Sequence, residues 1–165
     1  NNLGVVFLKL GLRTEGASAL DLLAESVETL RAALRVRTEA EMPIDWALTQ
    51  SNLGSMLLSQ GQRTDGEAGI ELLTQSVNAY RAALRIQTQG EMPVQWADTN
   101  NNLGQAFFAK CERVEGAAKL ELLTNAIAAF RAALLVFRQP GMEIYRADVE
   151  SNLKIAEGRL AKLGG

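Results

Sequence analysis

The hydrophobic pattern of the chain is that of amphipathic helices. Between residues 66 and 88, apolar side chains recur at intervals of four, three and four, at Leu73, Val77, Tyr80 and Leu84. This spacing places them on one side of an α-helix. No segment alternates apolar and polar residues with the period of two that a half-buried strand shows. The pattern therefore predicts an all-α protein.

Proline and glycine mark the expected ends of the helices. Pro43 and Pro93 suit the first helical position, where proline removes no hydrogen bond. Gly61 stands where a glycine commonly stops a helix, and Gly11 matches it. The short polar connectors predict that neighbouring helices pack antiparallel. About seven helices are expected, near residues 1–10, 16–38, 43–60, 66–88, 93–110, 116–138 and 142–163.

One sequence pattern recurs every 50 residues. The string Asn-Leu-Gly begins at positions 2, 52 and 102, and its fourth copy, at position 152, reads Asn-Leu-Lys. Self-similarity at this period indicates a repeat array, and each unit here is a hairpin of two helices, which we call A and B. The whole chain, residues 1–165, is predicted to be one array. Its units cover about residues 1–41 (partial), 42–91, 92–141 and 142–165.

The last unit differs from the others in ways that predict a cap. A single hairpin cannot bury its own apolar faces, so the units must stack, and the end of a stack needs a polar outer surface. Lys154 replaces the glycine of the repeat, and Arg146 replaces the tryptophan found as Trp46 and Trp96. Residues 142–165 are therefore predicted to form a capping helix, while the N-terminus is expected to interrupt a repeat. The two tryptophans are expected to fill space inside the hairpins.

The repeat resembles the tetratricopeptide family along the entire chain. The residues that carry the likeness are Gln50-Ser51-Asn52-Leu53-Gly54, Leu57 and Gly61 in helix A, and Ser76, Tyr80, Ala83 and Leu84 in helix B. The usual unit of that family has about 34 residues, so each unit here has about sixteen more. Lengthened units of this kind are similar to arrays in bacterial multidomain proteins and, more distantly, to those of kinesin light chains.

The resemblance implies an α–α superhelix whose A helices line a concave groove that holds a peptide or a helix of a partner protein. Positions that the family turns toward the groove differ between repeats, whereas the framework positions do not. These candidate partner-binding residues are Leu48, Ser51, Ser55, Leu58, Asp98, Asn101, Gln105, Phe108, Asp148, Ser151 and Ile155. The alternative is that they only contact the neighbouring A helix.

The candidate groove combines apolar and acidic positions. Leu8, Leu58 and Phe108 form a ladder that apolar side chains of a ligand could contact. Acidic residues in the C-terminal half of the groove favour a ligand that carries lysine or arginine. These acidic residues are Asp98, Asp148 and Glu150.

Two further ladders are interpreted as structural. The asparagines at positions 2, 52, 102 and 152 are expected to bond to helix ends, although they could instead bind a peptide backbone. The helix B arginines at positions 31, 81 and 131, together with Arg35 and Arg85, are expected to lie on a solvated face with local pairs, such as Glu28 with Arg31. The alternative for the arginines is a basic stripe for an acidic partner.

Composition and charge narrow the classes of function. The net charge of −2 disfavours nucleic-acid binding, and no apolar stretch reaches the roughly 18 residues of a membrane span. The chain has no histidine and one cysteine, Cys111. It also lacks a phosphate-binding loop, metal-ligand spacing and a nucleophile beside a base. We therefore expect no enzyme activity, no cofactor and no metal, and the lone cysteine favours a reducing, cytoplasmic compartment.

The leading hypothesis is a scaffold that binds a protein or peptide in its groove. A second hypothesis is structural self-assembly, in which the truncated first helix leaves Val5, Phe7 and Leu8 as an apolar end through which arrays stack or dimerise. A third is a regulatory sensor array that controls a fused effector domain.

Overall fold

The computed structural model describes residues 17–163, and every regular element in that range is an α-helix. The six helices are α1 (Ala17–Leu34), α2 (Pro43–Arg63), α3 (Gly66–Ala83), α4 (Pro93–Cys111), α5 (Gly116–Phe137) and α6 (Glu143–Leu163). The A helices of the repeat are α2, α4 and α6, and the B helices are α1, α3 and α5. No strand occurs between residues 17 and 163, as predicted. The helix predicted at residues 1–10 lies outside the described residues.

The chain divides into two compact units, residues 1–86 and 87–165. In the first unit, α2 packs against both α1 and α3. In the second unit, α5 packs against both α4 and α6. Helices that follow one another along the chain are therefore packing neighbours within each unit, which is the relation that short connectors predict.

The A helices α2 and α4 begin at Pro43 and Pro93, as predicted. A threonine organises the connector before each of them. The hydroxyl groups of Thr38 and Thr88 each accept a hydrogen bond, at 3.2 Å, from the backbone N–H three residues later. Such side-chain bonds compete with helix formation, and they help to separate each B helix from the A helix that follows.

The B helices α1 and α3 end earlier than predicted. They end at Leu34 and Ala83 rather than near residues 38 and 88. After Ala83 the backbone tightens: the N–H of Arg85 donates to the carbonyl of Ala82 at 3.2 Å, and that of Ile86 donates to Ala83 at 3.1 Å. The i to i+3 bonds of this tighter turn replace the α-helical ladder.

Gly61 does not stop helix α2, contrary to the prediction. The helix continues through it to Arg63. Gly61 is buried, and a Cβ atom at this position would lie 3.0 Å from Cγ of Leu73 and 3.1 Å from the Leu73 backbone nitrogen. The glycine therefore allows α3 to approach α2 closely.

The apolar stripe of α3 is buried, as predicted. Leu73, Val77 and Tyr80 are at most 5% exposed, and Leu84, just beyond the helix, is half-buried. All three helices of the first unit contribute to its core. The core cluster consists of Leu23, Val27, Leu30, Leu53, Met56, Leu57 and Ala79. Full burial of a side chain as large as leucine stabilises a fold by about 1.5–3 kcal/mol.

The glycine of the Asn-Leu-Gly string allows an aromatic ring of helix B to contact the backbone of helix A. A Cβ atom at Gly54 would lie 2.8 Å from Cε1 of Tyr80, and one at Gly104 would lie 2.6 Å from Cε1 of Phe130. Both distances are far shorter than ordinary carbon–carbon contacts. In the first unit, Ser76 of α3 also donates a hydrogen bond to the Gly54 carbonyl at 2.8 Å. The repeated glycine and the repeated aromatic residue are two halves of one contact.

Helix α6 buries less of its surface than the other A helices. Its buried residues are Val149, Leu153 and Ala156. Lys154, which stands where α2 and α4 have glycine, is exposed. A capping helix requires a polar outer surface, but the exposed surface of α6 is mixed, because it also includes Ile144, Tyr145, Ile155 and Leu163. The assignment of residues 142–165 as a cap therefore stays a prediction.

Helix α5 is apolar enough, and with residues 116–137 long enough, to cross a membrane by length and composition. It is the one such helix in the described part of the chain. Half of its most apolar window is buried in the structure, and it packs against both α4 and α6. The core helix of a folded unit has the same composition.

Candidate partner-binding face

The predicted partner-binding positions lie along one side of each A helix. In α4 they are positions 98, 101, 105 and 108, and this spacing of three, four and three keeps side chains on one side of a helix with 3.6 residues per turn. We call this side of α2, α4 and α6 the A face. The fold uses the A face differently in each of the three helices.

On α2 the fold uses the A face for contacts within the first unit. The Ser55 hydroxyl lies 3.0 Å from the Tyr80 hydroxyl of α3, and it also donates to the Ser51 carbonyl at 3.2 Å. Burial raises the pKa of Tyr80 above its usual range, while its bonds to Ser55 and Ser76 partly offset that rise. Tyr80 therefore stays protonated at neutral pH. Leu48 and Ser51 are half-buried.

None of the described residues of the apolar ladder is fully exposed. Leu58 is 7% exposed, and Leu8 lies outside the range that the structure describes. Phe108 is half-buried, and Cζ of Arg159 in α6 lies 5.4 Å from the centre of its ring. Arg159 also donates a hydrogen bond to Glu112 at 2.6 Å. This cation–π contact and ion pair join α4 to α6 and cover one face of the Phe108 ring.

On α4 the polar side chains of the A face form no hydrogen bond or ion pair with the described residues. Asp98 is half-buried, and its carboxylate has no ion pair or hydrogen bond with any residue between 17 and 163. Burial raises the pKa of this carboxyl group above its ordinary value. The side-chain oxygen of Asn101 is buried and accepts no hydrogen bond from the described residues. Gln105, one turn further along, is half-buried.

On α6 the A face is open to solvent. Asp148 and Ser151 are exposed, and Ile155 is 49% exposed. Glu150, the third residue of the predicted acidic group, forms an ion pair with Arg138 at 3.5 Å. Asp98 and Asp148 therefore provide the acidic character of the A face in the second unit.

The asparagine ladder does not form the bonds that we expected. Asn52, Asn102 and Asn152 are half-buried, and within the described residues none of them makes a side-chain hydrogen bond to a helix end. Asn100 makes a bond within its own helix, from its side-chain nitrogen to the Trp96 carbonyl at 2.8 Å. The asparagine at position 2 lies outside the described residues.

Two of the helix B arginines, Arg31 and Arg131, form polar contacts, and the local pair predicted between Arg31 and Glu28 is confirmed. Arg31 pairs with Glu28 at 2.9 Å and also donates to Gln75 at 2.8 Å, which joins α1 to α3. Arg131 pairs with Glu157 of α6 at 2.7 Å. Exposed pairs of this kind contribute little stability, and they engage the arginines that would otherwise form a basic stripe.

The start of α2 makes a contact that the sequence pattern does not predict. Trp46 is buried, as expected, whereas Trp96 is half-buried. Cζ of Arg85 lies 5.1 Å from the centre of the Trp46 indole ring. Arg85 is also bonded to Glu39. The second unit has the exposed Leu135 where this arginine would stand. An arginine does recur at this position, as Arg35 in the preceding repeat, but nothing in the spacing of the repeat indicates that it contacts a tryptophan.

The described residues show little capacity for metal or thiolate chemistry. No group of three or more histidine, cysteine, aspartate or glutamate residues in that part of the chain could hold a metal ion. Burial, together with the neighbouring Glu112 carboxylate, raises the pKa of the Cys111 thiol to about 11. The thiol therefore stays protonated, and so weakly nucleophilic, at neutral pH.

Comparison with known proteins gives no match to a family model, to a curated protein or to a solved structure.

Proposed function

We propose that this chain is a protein-interaction scaffold of the tetratricopeptide type, and that its A face binds a peptide or a helix of a partner protein. The two hairpins that contain both helices, α2–α3 and α4–α5, share one framework contact between glycine and an aromatic ring. Their A faces differ in chemistry. A fixed framework with a variable face is the pattern expected when packing selects one set of residues and a ligand selects the other.

The proposal is supported above all by two polar side chains of α4 that have no partner among the described residues. Asp98 and Asn101 present oxygen atoms that are wholly or partly removed from water, and no described residue donates to them. Buried polar atoms in folded proteins almost always have a hydrogen-bond partner. A second protein that supplies donors at this face would provide one.

The stacking of all the hairpins in a superhelix remains part of the proposal. It is supported by a packing step that occurs in both units. The B helix α1 packs against the A helix that follows it, α2, and α5 packs in the same way against α6. Contact between the B helix of one repeat and the A helix of the next is the step that an array repeats.

The test compares two charge-matched variants of the whole chain. The face variant carries Asp98→Ala, Gln105→Glu and Ile155→Glu, which together add one negative charge. The control, Ala128→Glu, adds one negative charge at an exposed position of α5. Each immobilised protein is incubated with extract of its own cells, and the captured proteins are quantified by mass spectrometry.

We expect the wild type and the control to retain the same partner and the face variant to lose at least about tenfold, which corresponds to about 1.4 kcal/mol. Circular dichroism and thermal unfolding check that the variants are folded. Equal retention by both folded variants would count against the A face as the binding surface.

The self-assembly hypothesis stays a prediction, because Val5, Phe7 and Leu8 lie outside the described residues. The regulatory hypothesis and the cytoplasmic location also stay predictions.

A further inference from the structure

Asn101 carries a buried oxygen that the fold does not satisfy. Its Oδ1 atom is removed from solvent and accepts no hydrogen bond from residues 17–163. An unsatisfied buried carbonyl oxygen destabilises a protein, because it has lost its bonds to water without replacement. It is the one buried side-chain nitrogen or oxygen in the described part of the chain with this defect. A defect confined to the candidate binding face points to a donor that arrives with a ligand.

Asp98 places a second acceptor beside it. The two residues are three positions apart on α4, which brings their Cβ atoms to about 5–6 Å. The Asp98 carboxylate is half-buried and has no cationic neighbour within bonding distance among the described residues. Arginines of this unit pair instead with Glu112, Glu150 and Glu157. One carboxylate and one amide oxygen thus lie close together on α4, and neither has a partner among the described residues.

We propose that Asp98 and Asn101 form a subsite for the guanidinium group of an arginine side chain of the bound partner, which rests on the proposed function of the A face. A guanidinium group presents five N–H donors in a planar fork, so it can bond to a carboxylate and a nearby amide oxygen together. It is also more weakly hydrated than the ammonium group of lysine, which favours its transfer into a half-buried site.

The chemistry of the two acceptors disfavours other ligands. A calcium ion binds roughly six to eight oxygen ligands. One carboxylate and one amide oxygen provide far fewer than that. A neutral backbone N–H of a peptide would satisfy Asn101 but would leave the Asp98 charge without a counter-ion. A cation with several donors satisfies both groups.

The subsite occurs once among the three A helices. The positions equivalent to Asp98 and Asn101 are Leu48 and Ser51 in α2, and Asp148 and Ser151 in α6. The pair in α2 has no charge, and the pair in α6 is exposed to solvent. An arginine of the partner would therefore fix the register of the bound segment on α4.

The subsite can be tested without knowledge of the partner. The full 165-residue chain is labelled with ¹⁵N and titrated with N-acetyl-arginine methylamide. The matched probe is N-acetyl-citrulline methylamide, which keeps the shape of the side chain and removes its charge. We expect saturable shifts of the Asn101 side-chain amide and of α4 backbone amides with the arginine probe, and binding at least about tenfold weaker with citrulline.

Two isosteric variants make the test specific. Asp98→Asn should weaken the arginine probe at least about tenfold, whereas Asp148→Asn, at the equivalent exposed position of α6, should leave its affinity unchanged. Both variants are checked for an unchanged fold by their amide spectra. Equal binding of the two probes, or equal binding to the wild type and Asp98→Asn, would overturn the subsite.

The result is independent of the capture experiment. Capture that depends on the A face, with no response to arginine, overturns the subsite and supports the proposed function. A specific arginine response without such capture supports the subsite and overturns the proposed function.

Discussion

The hairpins α2–α3 and α4–α5 share an aromatic contact but differ in one hydroxyl group. Tyr80 contacts Gly54, and Phe130 contacts Gly104 in the same manner. The Tyr80 hydroxyl engages Ser55 of the A face at 3.0 Å. Phenylalanine has no such group, and Gln105, the counterpart of Ser55, is not tied to the aromatic residue of its hairpin. The choice between tyrosine and phenylalanine in the core thus decides whether this A-face side chain forms a hydrogen bond within its own hairpin.

The repeats also differ at the position where each B helix faces the A helix that follows it in the chain. Three equivalent residue pairs occupy this position: Arg37 with Thr49, Gln87 with Thr99, and Phe137 with Val149. Hydrogen bonds of 3.1 Å and 2.6 Å join the first and second pairs, whereas the third pair is apolar and buried. Both members change character together, because a buried polar atom needs a partner and an apolar one does not.

The glycine contact should give the largest effect if it is broken. Gly104→Ala is expected to lower the free energy of unfolding by about 1–3 kcal/mol, because the added methyl group overlaps the Phe130 ring. Gly54→Ala should act in the same direction and somewhat more weakly, because its closest ring atom is 2.8 Å rather than 2.6 Å away. Urea denaturation of each variant measures the change.

Gly158→Ala is the matched control, because a Cβ atom at that helical position would have no atom within 4 Å apart from its chain neighbours and the backbone of its own helix. It should stabilise α6 by roughly 0.5–1 kcal/mol, the advantage of alanine over glycine in a helix. Adding Phe130→Leu to Gly104→Ala should recover part of the loss. If the alanines at 104 and 158 shifted stability in the same direction, the close contact between ring and glycine would be refuted.

The polar pair of the second unit should give an intermediate effect. Thr99→Val removes the donor to Gln87 and leaves the Gln87 side chain, which is 1% exposed, without that partner. We expect a loss of about 1–2 kcal/mol in the free energy of unfolding. The double variant Gln87→Met, Thr99→Val makes both members apolar and should lose less than the sum of the single changes.

A double-mutant cycle measures this coupling by chemical denaturation. The corresponding Thr49→Val change should cost less, because Arg37 is only half-buried and can reach water. Strictly additive losses at positions 87 and 99 would show that the two residues are not coupled.

The smallest effect should be a change in pH dependence at Asp98. Burial raises its pKa in the folded state, so its contribution to stability is greatest while the carboxyl is protonated and falls as pH rises through that raised pKa. Asp98→Asn should therefore melt higher than the wild type at pH 7, and this advantage should disappear near pH 3. Thermal unfolding across this range measures the difference, with the exposed Asp148→Asn as control. If Asp98→Asn melted higher than the wild type by the same amount at every pH, burial of the charged Asp98 carboxylate would not be the cause.

Local features of the fold could be predicted from the sequence, because they depend on near neighbours in the chain. The spacing of Leu73, Val77 and Tyr80 identified the buried side of a helix, and Pro43 and Pro93 identified helix starts. The ends of α1 and α3 were harder to predict. Their last turns tighten through bonds that the hydrophobic pattern does not specify.

The state of the A face depends on contacts that a repeat comparison does not contain. Gly61 has the local context of a helix stop, but its actual role follows from the approach of Leu73. Ser55 varies between repeats and so resembled a ligand contact, but the Tyr80 hydroxyl engages it. Asn101 was predicted for the A face, and its missing donor became visible only with its burial.

The contact between glycine and aromatic ring lies wholly within one hairpin, since its two members are 26 positions apart in both copies, at 54 and 80 and at 104 and 130. A gene duplication or deletion of one 50-residue segment therefore carries both members together. The number of hairpins can change in evolution without leaving an overlapping methyl group or an unfilled space in the copies that remain. A change in the number of hairpins and a change within a hairpin are thus separate events.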